Sequence, residues 1–151
     1  MSSRQNAAIE EIVHSEEKLI ELYASLGERA VQQNVKMFLE AFTKGHEGIV
    51  SMIREGPITH SGPSGIVGKY RHIHATDHLS WKKQIDLGNL QSVLLFITKN
   101  EAESLKEFEK LVLKASGGKS SDILEKIRVE KSALAAKADR LYFDLIESKV
   151  S

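Results

Sequence analysis

The residues in this chain best suited to chemistry are carboxylates and imidazoles, and several of them sit where an apolar side chain is expected. Ile9, Ile12, Glu16, Ile20 and Tyr23 recur at steps of three and four, so Glu16 falls on one helix face with apolar neighbours a turn above and below. Leu94, Ile97, Glu101, Leu105 and Phe108 repeat the pattern, and Ile123, Ile127, Glu130 and Leu134 do so again. Between Phe42 and Ile49 the corresponding gap holds Gly45 and His46. A carboxylate taken into an apolar core costs several kcal/mol unless a cation or a proton neutralises it, and carboxylates from different helices at similar heights repel one another. A divalent metal is one solution, because carboxylate oxygen and imidazole nitrogen suit iron, manganese or zinc. The expected metal-binding set is then Glu16, His46, Glu101 and Glu130. Protonation of the carboxylates, or Lys44 reaching inward, is a second solution. A third is that each stripe is wider or rotated and the glutamates lie at its edge, paired with lysines. The spacing leaves all three open.

Other candidates are weaker. Cysteine is absent, which excludes disulfides, thiolate catalysis, iron-sulfur clusters and cysteine zinc sites. His60, His72, His74 and His78 lie close together with Asp77, and His72 and His74 have a spacing that could bring two imidazoles to one ion in an extended segment. Solvated or hydrogen-bonded loop histidines are the commoner outcome. Lys69-Tyr70-Arg71-His72 and Trp81-Lys82-Lys83 place aromatics beside cations, but Lys plus Arg equals Asp plus Glu at 21 each, so no nucleic-acid partner is expected. Trp81 reads as an apolar anchor. No phosphate-binding glycine loop and no nucleophile triad is spelled anywhere.

These residues must be positioned by helices, since nothing reads as a strand. Apolar periodicity predicts helices over about 5–29, 34–55, 90–116 and 121–148. Glu55-Gly56-Pro57 ends the second, Gly117-Gly118 the third, and Ser120 or Ser121 caps the fourth, with Asp122 near its positive end. Residues 56–89 carry five glycines and two prolines with no sustained period and read as a connection. A helix of about 25 residues is close to 40 Å long, and a connection crossing that length explains why this one is so long. The expected fold is all-α: one domain, residues 1–151, a ferritin-like four-helix bundle of two antiparallel helix pairs joined by a long crossover. The two pairs look like weak repeats. No run approaches the ~18 apolar residues of a membrane span, and the polar start, Met1 to Asn6, has no apolar stretch of a signal peptide behind it. A cytoplasmic protein is expected.

The chain resembles the rubrerythrin branch of the ferritin-like superfamily. The resemblance rests on Glu16 followed seven residues later by Tyr23, on Glu101 followed seven later by Phe108, and on Val35-Lys36-Met37-Phe38-Leu39 opening the second helix. It implies two irons held by a glutamate on the first and third helices and a Glu-x-x-His on the second and fourth. Here the fourth-helix counterpart is Glu130-Lys131-Ser132-Ala133, which keeps the carboxylate and has alanine for histidine. Thr43-Lys44-Gly45-His46-Glu47-Gly48 contains no such motif, and Glu11-Ile12-Val13-His14 spells it on the first helix, where it reads as coincidence. A six-ligand centre is not available from matching positions, and the four cysteines of a rubredoxin module are missing. The resemblance implies a reduced or lost metal centre. If iron, manganese or zinc is bound, the implied chemistry is iron handling or peroxide reduction, with Tyr23 nearby. If none is bound, the expectation is a non-catalytic helical module acting through self-association or a protein partner. A homodimer is expected either way.

Overall fold

A computed structural model describes residues 3–55, 85–116 and 121–150. It contains four α-helices and, among the described residues, no strand: α1 Ser3–Arg29, α2 Gln33–Arg54, α3 Leu90–Ser116 and α4 Asp122–Val150. The boundaries lie within two residues of those the periodicity predicts. The histidine-rich stretch with His60, His72, His74, His78 and Trp81, and the Gly56-Pro57 and Gly117-Gly118 stops, lie outside the described residues.

The chain clusters into two compact units, one formed by Glu16–Val93 and the other by Met1–Ser15 with Leu94–Ser151. In the first, the later part of α1 and α2 run antiparallel, because Glu16 meets His46, Tyr23 meets Phe42, and a Cβ added at Gly27 would stand 3.7 Å from that of Leu39. The connection is short: Ala30 N–H still donates to Leu26, and Gln32, extended at φ −73 and ψ 134, starts α2 by accepting from Lys36 N–H. The Gln32 amide also donates to the carbonyl of Gly88, 3.0 Å away. That carbonyl belongs to a turn in which Asp86 accepts from Asn89 N–H through its backbone and from Gly88 N–H through its side chain. Asn89 then caps α3, its Oδ1 accepting from Ser92 N–H. The core of this unit is Ile20, Leu22, Tyr23, Leu26, Val35, Leu39, Phe42, Ile49 and Val50.

In the second unit α3 and α4 are also antiparallel: Thr98 donates to the carbonyl of Ala138, Lys131 to Ser104, and Arg128 to Glu109. Ser121 caps α4 through Leu124 N–H, as expected, with Asp122 and Glu125 in the first turn where the helix dipole favours negative charge. Ala8, Ile12, Val13, Leu94, Ile97, Phe108, Val112, Leu124, Ile127 and Ala138 are buried. The inward stripe of α4 therefore begins at Leu124 and not at Ile123.

Candidate functional site

Glu16 and His46 are both fully buried, and they face each other directly: Nδ1 of His46 lies 2.5 Å from Oε1 of Glu16. Helical spacing puts them there. Glu16 continues the stripe of Ile12, Ile20 and Tyr23 on α1, while His46 is one turn from Phe42 and one from Ile49 and Val50 on α2. At that separation a proton has to sit between nitrogen and oxygen, since two lone pairs would otherwise confront each other. Aromatic rings form part of the wall: Tyr23 lies 5.9 Å from the imidazole, tilted by 44°, and meets Phe42 edge-on at 6.4 Å. With aromatic rings beside it in place of water, the attraction between the two groups is stronger than it would be at the surface.

In the other unit a second pair of ionisable residues is buried, Glu101 at 2% and Lys131 at 3% exposure. Lys131 Nζ donates to Ser104 Oγ at 2.5 Å, and Ser104 stands one turn beyond Glu101 on the same face of α3. Glu130, expected to point inward, is exposed. The stripe on α4 is rotated by one residue, about 100° of helix, so the ammonium of Lys131 occupies the position the carboxylate was expected to take. Lys44, one alternative to a metal as the counterion of the buried carboxylates, is exposed and pairs with Glu40 at 3.0 Å. Glu21 is a further buried carboxylate.

Of the four expected metal ligands, the structure thus brings Glu16 and His46 together, buries Glu101 in the other unit and leaves Glu130 at the surface. Among the described residues no group of three or more histidine or acidic side chains is placed to hold a metal ion.

The residues the periodicity missed are Lys131 and Arg128. Lys131 had a signal, because Ile127, Lys131 and Leu134 repeat the spacing of Phe42, His46 and Ile49. Arg128 crosses from α4 to grip Glu109 of α3 with Nε and Nη2, bonds Glu125 with Nη1 at 2.7 Å, and holds its guanidinium carbon over the Phe108 ring, 5.8 Å from the ring centre. The two carboxylates hold its proton more tightly than an ordinary arginine does.

An open groove of about 430 Å³ runs along α1 and α2, lined by Tyr23, Gly27 and Thr43 and edged by Lys36, Glu40 and Lys44. Charges of both signs alternate along it and it selects no ligand class. No helix among the described residues is long and apolar enough to cross a membrane. Comparison with known proteins found no matching family model, no matching curated protein and no matching solved structure.

Proposed function

We propose that this chain is a rubrerythrin-like helical module that has lost its metal centre and acts without catalysis, through association with other protein chains. The observation that carries the reading is the direct hydrogen bond between Glu16 and His46 in the core. A buried carboxylate needs a compensating partner, and here an imidazole meets that need without a metal. Lys131 in place of an inward Glu130 points the same way.

The test is metal retention. Purified protein is incubated anaerobically with ferrous iron, and separately with manganese and zinc, then desalted and analysed for metal. No stoichiometric retention is expected. Retention of one or more equivalents that disappears in His46→Ala would overturn the proposal and establish iron-type chemistry at the Glu16 and His46 pair.

A further inference from the structure

We draw no further inference here: the strongest candidate, the apolar surface left on the last turns of α4 by the half-buried Leu141, Tyr142, Leu145 and Ile146 and the exposed Phe143, carries nothing because nothing in the structure shows what covers it.

Discussion

Removing one member of the Glu16 and His46 pair should destabilise the protein far more than removing both. In His46→Leu the carboxylate of Glu16 keeps its buried position and loses the imidazole hydrogen bond, and breaking such a pair typically costs about 3–5 kcal/mol. In Glu16→Leu the buried imidazole loses its hydrogen bond to Glu16, a loss of about 1–3 kcal/mol for a buried polar group. If the residues acted independently the double variant would lose roughly 4–8 kcal/mol, a large part of the ~5–15 kcal/mol that holds a domain folded. The pair is instead shape-compatible with two leucines beside Tyr23 and Phe42, and replacing a buried ionic pair by apolar residues is commonly neutral to about 4 kcal/mol stabilising. A coupling free energy of at least ~4 kcal/mol follows by subtraction. Urea unfolding of the four proteins in a chelating, metal-free buffer measures it. At about 2–4 °C per kcal/mol for a chain of this size, His46→Leu should also melt roughly 6–20 °C lower than wild type. If the two single losses add in the double variant to within ~0.5 kcal/mol, the residues do not compensate each other and the argument from the core pair fails.

Two further outcomes follow from the helices. Gly48 lies inside α2, and a Cβ built there meets nothing within 4 Å; Gly48→Ala should therefore stabilise by about 0.5–1 kcal/mol in thermal or urea unfolding. Arg128 is 27% exposed and its partners Glu109 and Glu125 are 45% and 53% exposed, so solvent screening limits Arg128→Ala to a loss of about 1 kcal/mol. Arg128→Lys should recover less than half of it, because an ammonium loses the two-pronged grip on Glu109.

The first three helices were legible because each carries one long apolar stripe with polar ends, and His46 was legible because Phe42 and Ile49 bracket it at helical spacing. The orientation of α4 was not. Apolar residues line two of its faces, so a stripe through Ile123, Ile127, Glu130 and Leu134 fits the period as well as one through Leu124, Ile127 and Lys131. A step of one residue turns a helix by about 100°, which exchanged an expected buried acid for a buried base. The Glu16 and His46 contact was hidden for another reason. It joins residues 30 apart on different helices, and periodicity says which side of a helix faces inward without saying which residue it meets there. Asn89 as the cap of α3 has a signal in the sequence, an asparagine immediately before the first apolar-periodic residue, Leu90.

The Gln32 side chain, bonded to the carbonyl of Gly88, has a bearing on the order in which the chain assembles. It joins residues 56 apart in sequence, whereas the turn from α1 to α2 joins residues only a few apart. Closing a loop of that length costs roughly 3.6 kcal/mol of chain entropy by the logarithmic law, before any constant term. Local helix pairing is subject to no comparable cost. The α1–α2 hairpin should therefore form early, and the start of α3 should dock late, when the carbonyl of Gly88 meets an amide already held in place. Because the cost grows only with the logarithm of length, doubling the intervening chain adds about 0.6 kcal/mol. Evolution could lengthen or shorten that connection at little expense to the helices it joins, while the rate at which they come together changed with it.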